Sequence, residues 1–148
     1  MMTYDVPIKK LSPEAKLPTY GSESAAGADL YALLPAPLAV AAGETVLVHT
    51  GVALALPKGT VGLIFARSGL ATKRGLAPAN KVGVIDADYR GEIMVALHNH
   101  GSAAVTVEPY ERIAQLAILP YITADFLETD DLDETARGAG GFGSTGTF

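Results

Sequence analysis

The sequence predicts an all-β fold, a sandwich or a barrel. Apolar runs of strand length recur along its length, and glycines (16) and prolines (9) fall between them. Helical periodicity is scarce. The 148 residues are the size of one domain. Folding at this size can remove roughly 70% of the unfolded surface from water, so a self-sufficient core is expected.

Leu17, Leu30, Leu38-Ala39-Val40 and Val46-Leu47-Val48 mark the first strands. Val52 to Leu56 alternates large and small side chains, which suits a strand with one tightly packed face. Pro57-Lys58-Gly59 supplies a turn, and Val61 to Phe65 is the next apolar run. One short helix is expected from Ser68 to about Lys73, with Ser68 as its cap and Gly75 ending it in the left-handed conformation. Asn80 to Gly91 reads as a β-hairpin, with strand residues before Asp86 and after Gly91. Val82 to Ile85, Ile93 to Leu97, Val105 to Val107 and Ile113 to Leu119 complete the strands.

The C-terminal end has another character. Asp125 to Glu134 holds six acids in ten residues and no base, and Arg137 to Phe148 holds five glycines in twelve. Such a backbone loses much entropy on ordering. Yet Arg137 offers a planar cation and Phe142 a stacking face, which is the composition of a lid. The expected organisation is a β-rich domain over 1–124, an acidic linker over 125–136 and a flexible arm over 137–148.

Composition excludes several classes. Charged residues make up 18% and apolar residues 49%, too apolar for a disordered protein. The net charge of −5 disfavours a protein that holds a long nucleic acid by general electrostatics. With no cysteine, disulfides, thiol catalysis and Cys-type zinc sites are ruled out. The longest charge-free apolar stretch, Leu30 to Ala42, carries two prolines and falls short of the about 18–20 residues a membrane helix needs. The N-terminal residues lack the apolar core of a signal peptide, so a cytoplasmic location is expected.

Three internal strings carry chemistry. In Ala66-Arg67-Ser68-Gly69-Leu70 a strand leads into a helix start, where free N–H groups, a guanidinium and a hydroxyl suit phosphate. An ordinary cap with a surface arginine is the bland alternative. In Asn80 to Gly91, Asp86 stands at the mouth of a strand, half-buried yet facing a pocket, able to take a proton from water. Asp88 reads more simply as a turn residue neutralised by Arg90. The Asn80 amide complements a nucleobase edge or serves a turn, and Tyr89 is either a core aromatic or a wall against a sugar. In Glu111 to Leu116, Gln115 lies within an apolar run and needs partners, either backbone or a ligand phosphate. Asp29, in Ala25 to Leu30, is a turn residue or supports a bound cation from a distance. His49, His98 and His100 lack a zinc-like partner set.

Together and in this order, AAGADLYA from Ala25, ARSGLATKRGL from Ala66, NKVGVIDADYRGEI from Asn80, ERIAQL from Glu111 and RGAGGFGSTG from Arg137 resemble the five motifs of the trimeric dUTP pyrophosphatases. The resemblance implies a jelly-roll or barrel-like subunit, a homotrimer with shared active sites, and a Gly-rich tail closing over each site. It implies hydrolysis of dUTP to dUMP and pyrophosphate with Mg²⁺ on the triphosphate. Asp86 matches the aspartate that activates the attacking water. Asn80 and the hairpin backbone after it match the group that reads the uracil edge, with Tyr89 against the deoxyribose, and Val84 and Met94 are expected as further substrate contacts. Arg67, Ser68, Gly69 and Gln115 match phosphate contacts. Arg137 matches a γ-phosphate ligand, Phe142 and Gly143 the part of the tail that covers uracil, and Asp29 an acid touching the metal through water. Ala66 stands where the motif commonly has proline, a change of stiffness and not of a contacting group. The rival readings are a dCTP deaminase on the related fold and a catalytically silent nucleotide-binding trimer. A single-stranded nucleic-acid binder is weaker, given the charge and scattered aromatics.

Overall fold

The computed structural model describes residues 3–142 and residue 144. It contains eleven strands and one helix among those residues. A four-stranded sheet has the order β1-β5-β9-β7, with β1 at Ile8–Lys10, β5 at Thr45–Leu54, β7 at Leu76–Pro78 and β9 at Glu92–Asn99. A five-stranded sheet has the order β2-β3-β11-β6-β8, with β2 at Thr19–Tyr20, β3 at Ala28–Tyr31, β6 at Thr60–Phe65, β8 at Gly83–Ile85 and β11 at Arg112–Pro120. A ribbon pairs β4, Leu38–Val40, with β10, Val105–Val107. All pairings are antiparallel, and each sheet has open edges rather than closing into a barrel. No described helix is long and apolar enough to cross a membrane.

One apolar cluster lies between the two large sheets. Val48, Val52, Ile93, Val95 and Leu97 enter it from the four-stranded sheet, and Leu30, Ile64, Ile113 and Leu116 from the five-stranded one. β9 shows the alternation that builds such a core: Ile93, Val95 and Leu97 point inward, while Glu92, Met94, Ala96 and His98 face outward. Fully burying one large aliphatic residue contributes about 1.5–3 kcal/mol.

The structure departs from the sequence expectation at four places. Val46–Val48 and Val52–Leu56 are not two strands; their core residues form one strand, β5, with a register shift between His49 and Ala53. Gly51 makes this continuity possible. Its φ is +70°, and a Cβ there would lie 2.6 Å from Leu33 Cδ2 and 2.7 Å from Ala15 Cβ. Second, the predicted hairpin does not form. β8 pairs with β6, whereas β9 pairs with β5 and β7 in the other sheet. Two reciprocal pairs explain the choice, Gly83 opposite Ile64 and Gly62 opposite Ile85. Each glycine admits the facing isoleucine, since a Cβ would stand 3.1 Å from Ile64 Cβ and 3.2 Å from Ile85 Cβ. Third, Arg67 and not Ser68 occupies the cap position of α1, Ser68–Arg74, and the helix start has no side-chain hydrogen bond. Gly75 does end it, at φ +69°. Fourth, Leu17 lies outside any strand and is half-exposed. β7 was not anticipated because it contains Pro78, which an edge strand tolerates.

Candidate active site

A cleft of about 320 Å³ opens on the outer face of the four-stranded sheet. Its floor comes from Leu47 of β5, Met94 and Ala96 of β9 and Pro78 of β7. Asn80, Gly83, Val84, Ile85, Asp86 and Tyr89 form the opposite wall. That volume is at the lower end of the range for small-molecule sites. β8 is an edge strand, so its outer backbone N–H and C=O groups have no strand partner on the cleft side. An edge of this kind offers alternating donors and acceptors to a planar heterocycle. The approach to β8 is tight: Lys81 takes φ +65°, its N–H donates to Pro78 C=O at 3.0 Å, and Val82 N–H donates to Asn80 C=O at 2.7 Å.

The loop after β8 is held by its own backbone. Tyr89 N–H donates to Asp86 C=O at 3.1 Å. Arg90 Nη1 donates to Ala87 C=O at 2.8 Å and to Tyr89 C=O at 2.9 Å. Arg90 therefore braces the turn; the expected Asp88–Arg90 neutralisation does not occur. Tyr89 is no core aromatic. It is 40% exposed, its ring lies across Gly91, and its Oη donates to Glu92 C=O at 2.9 Å. A Cβ on Gly91 would fall 2.3 Å from Tyr89 Oη. Asp86 is exposed, not half-buried as expected, because β8 ends at the sheet edge and no described residue lies over its carboxylate. It borders this cleft and a second one lined by Lys58, Gly59, Arg90 and Tyr121.

A second cluster is built on β3, β11 and the end of β6. Asp29 is only 7% exposed. Its Oδ1 accepts from Arg67 Nε at 2.7 Å and its Oδ2 from Arg112 Nη1 at 3.2 Å. Two guanidiniums on one carboxylate leave a local net positive charge and fix Arg67 by its Nε. Gln115 lies opposite both Asp29 and Phe65 in the sheet. Its Nε2 donates to Ala66 C=O at 2.8 Å, and its amide fills the space over Gly27, where a Cβ would stand 2.6 Å from Oε1. Ser68 and Gly69 open α1 and are exposed. The first intrahelical bond runs from Ala71 N–H to Arg67 C=O, so the preceding amides lie ahead of the ladder. At its other end α1 is tied down by Arg74, which pairs with Glu111 and donates to Thr106 C=O.

The two clusters lie at opposite ends of β6. Ile85 faces Gly62, so Asp86 falls beside Val61, while Arg67 follows Phe65. Four strand residues separate Val61 from Phe65, roughly 13 Å at about 3.3 Å per residue, and Arg67 lies two residues beyond the end of the strand. The described part of the tail joins neither cluster. Every residue from Leu119 to Ala139 is exposed, Arg137 Nε donates to Gly140 C=O at 2.8 Å within the tail itself, and Phe142 is fully exposed at φ +50°. Gly143 lies outside the described residues.

The family model for dUTPase matches residues 13–146. The chain belongs to the dUTPase family. A deoxyuridine 5'-triphosphate nucleotidohydrolase of Desulfitobacterium hafniense is 54% identical over 132 residues, covering 88% of this sequence and 87% of that protein. One of Methylibium petroleiphilum is 46% identical over 147 residues and covers 99% of each. The solved dUTPase of Staphylococcus bacteriophage 80alpha with dUPNHPP superposes with a TM-score of 0.88 at 27% identity, covering 97% of this sequence and 99% of that one.

Against this dUTPase frame, the structure gathers Asn80, Val84, Asp86, Tyr89 and Met94 at one cleft and Asp29, Arg67 and Gln115 at the cationic cluster. Sequence reasoning missed Arg112, which shares Asp29, and Glu92, which lines the cleft. Arg112 had a signal in ERIAQL: an arginine entering a strand whose register brings it opposite Tyr31, beside Asp29. Burial pushes the Glu92 carboxyl up, but hydrogen bonds from His49 and from the Gly51 and Thr50 amides outweigh it and hold the group below its ordinary value of 4.5. His98 and His100 meet edge to face at 4.4 Å, and no cluster of three or more His, Cys, Asp or Glu side chains suited to a metal exists among the described residues.

Proposed function

We propose that this protein hydrolyses dUTP to dUMP and pyrophosphate, by attack of water on the α-phosphorus, as a homotrimer with shared sites. The observation that carries the shared-site reading is that Asp86 and Arg67 lie at opposite ends of β6, in two separate clusters. An α-phosphorus attacked by a water beside Asp86 stands at the far end of β6 from the same subunit's Arg67. A neighbouring copy would present the Arg67 cluster to the Asp86 cleft, and the tail of a copy would bring Arg137 and Phe142.

In this reading the cleft takes the nucleoside. Asn80 and the free edge of β8 read uracil, with Val84 and Met94 beside it, and Tyr89 closes against the deoxyribose. A close wall at C5 rejects a methyl group, and hydrogen-bond polarity at position 4 rejects cytosine. Asp86 orients the water and takes its proton. Arg67, Ser68, Gly69 and Gln115 from the second copy hold the phosphates, for which Gln115 would turn part of its amide from Ala66. Arg137 reaches the γ-phosphate, and Phe142, with Gly143, covers the base and excludes bulk water. The protein thus divides into a catalytic domain over 1–124, a linker over 125–136 and an arm over 137–148, acting on the nucleotide pool of the cytoplasm.

The donor set fits Mg²⁺ carried by the triphosphate. Mg²⁺ keeps water and phosphate oxygens readily and needs no protein cage. Both Asp29 oxygens already accept from guanidiniums, which suits a contact through water and not direct ligation. When bound, the ion supplies charge neutralisation on the phosphates.

The test is pyrophosphate release from dUTP, dCTP, dTTP and UTP, each with Mg²⁺ and with EDTA. Release from dUTP alone, lost in EDTA, is expected. Ammonia from dCTP would move the protein to the deaminase class. Binding of dUTP without reaction would make it a silent binding protein.

A further inference from the structure

We propose that Glu92, stapled to His49, is a positioning residue that holds the Tyr89 wall and thereby tightens discrimination between a deoxyribose and a ribose. The inference rests on the reading of Tyr89 as the sugar wall, and deepens it.

Glu92 is the first residue of β9 and joins three parts of the cleft. Its backbone carbonyl accepts the Tyr89 hydroxyl at 2.9 Å. Its carboxylate spans to β5, where Oε2 meets His49 Nδ1 at 2.8 Å and Oε1 accepts Gly51 N–H at 2.7 Å. Gly51 is the irregular point of β5, at φ +70°. Between His49 and Ala53 the ladder to β9 is interrupted by a bulge of β5 opposite Ile93, and it resumes at the Ala53–Glu92 pair. The Glu92 carboxylate, on the Gly51 amide, and the Thr50 hydroxyl, which donates to Ile93 C=O at 2.5 Å, bridge the bulge. The start of β9 is therefore held by its Ala53 pair and by these two polar groups, which fix the bulge beside it, and the Tyr89 hydroxyl is anchored there.

The opposite side of Tyr89 is already fixed. Its ring lies over Gly91, and its N–H is bonded to Asp86 C=O. Freeing the Glu92 end lets the ring pivot away from the cleft about the 86–91 turn. A displacement of an ångström at a steric wall is enough to admit a hydroxyl group, and misplacement on that scale is costly to specificity. The His49 partner is more than half exposed, while Glu92 is mostly covered, so the imidazole shields and orients the carboxylate from the solvent side.

The experiment uses the full-length protein with Glu92→Ala, Glu92→Gln or His49→Ala. It measures kcat and KM for dUTP and for UTP, melting temperature, and hydrogen exchange over residues 86–91. Glu92→Ala is expected to raise KM for dUTP with kcat held within about twofold, to lower the dUTP:UTP ratio of kcat/KM about tenfold, and to speed exchange in 86–91. Glu92→Gln keeps an acceptor for Gly51 N–H and is expected to restore most of the ratio; His49→Ala falls between. A folded Glu92→Ala with a lowered melting point but unchanged ratio and unchanged exchange would overturn the proposal and leave Glu92 a staple of β5. A wild type inactive on dUTP, with exchange in 86–91 still faster in Glu92→Ala, would overturn the substrate reading while the clamp on Tyr89 stands.

Discussion

Asp86 illustrates what a single residue is asked to do here. The carboxylate is exposed at the end of an edge strand and has no hydrogen-bond partner among the described residues, so it is available to a water. Asp86→Asn keeps the shape and the cleft but removes the proton acceptor. Nucleotide binding is expected to persist, with turnover down at least about 10²-fold, the lower end of general-base contributions; calorimetry beside a turnover assay separates the two. Unchanged turnover would remove Asp86 from the base role. Glu92 makes a different prediction. Its folded pKa is lowered, so its contribution to stability is fully present above the ordinary value of 4.5 and is lost as pH falls through the depressed folded value. The difference in unfolding free energy between wild type and Glu92→Gln should be flat from neutral pH to about 4.5 and shrink below it; chemical denaturation at several pH values reads this directly. A difference that grows on acidification would reverse the assigned sign.

At the scale of elements, the site depends on strands being held where their own ladders give out. β9 ends at Asn99, which is fully buried. Its Nδ2 donates to Val40 C=O and to Ala103 C=O, both at 2.9 Å, and its Oδ1 accepts Gly101 N–H at 2.9 Å. One amide thus joins β9 to the β4–β10 ribbon and to the turn that follows. Asn99→Ala leaves those buried groups unpaired and is expected to cost about 3 kcal/mol. A urea titration showing a loss under about 0.5 kcal/mol would mean that water replaces the amide without penalty. The same logic explains why the hairpin reading failed. Spacing alone favours pairing of neighbouring runs, but the glycine–isoleucine pairs between β6 and β8 are a packing property of two segments about twenty residues apart in sequence.

The whole molecule sets the last constraint. Since Asp86 and Arg67 lie at opposite ends of β6, an oligomer with shared sites should show complementation. Asp86→Asn and Arg67→Ala subunits, each nearly inactive alone, should regain activity when unfolded together and refolded, because some mixed sites receive both intact halves. No recovery from mixed oligomers would place both groups in one subunit's site. Removal of residues 137–148 should leave the protein folded by circular dichroism, since the tail buries none of the described core, yet nearly inactive. A truncated protein of normal rate would show that the tail takes no part in catalysis.

The sequence by itself determined the all-β class, the single helix and its Gly75 stop, and the ordered strings that carry the family. These are local: side-chain alternation, turn residues and short motifs are properties of neighbouring positions. Asp86, Tyr89 and Asn80 were legible for the same reason, as one string folds into one wall. Tertiary structure alone decided which strands pair, since that depends on glycines meeting isoleucines across a sheet. It alone put Asp29 between Arg67 and Arg112, which are distant in sequence and neighbours only through the β3–β11 and β11–β6 registers. It also bent β5 at Gly51 and brought the Glu92 carboxylate to that bend, where it accepts the Gly51 amide. Strand periodicity reports which face a residue occupies; only packing reports what stands opposite it.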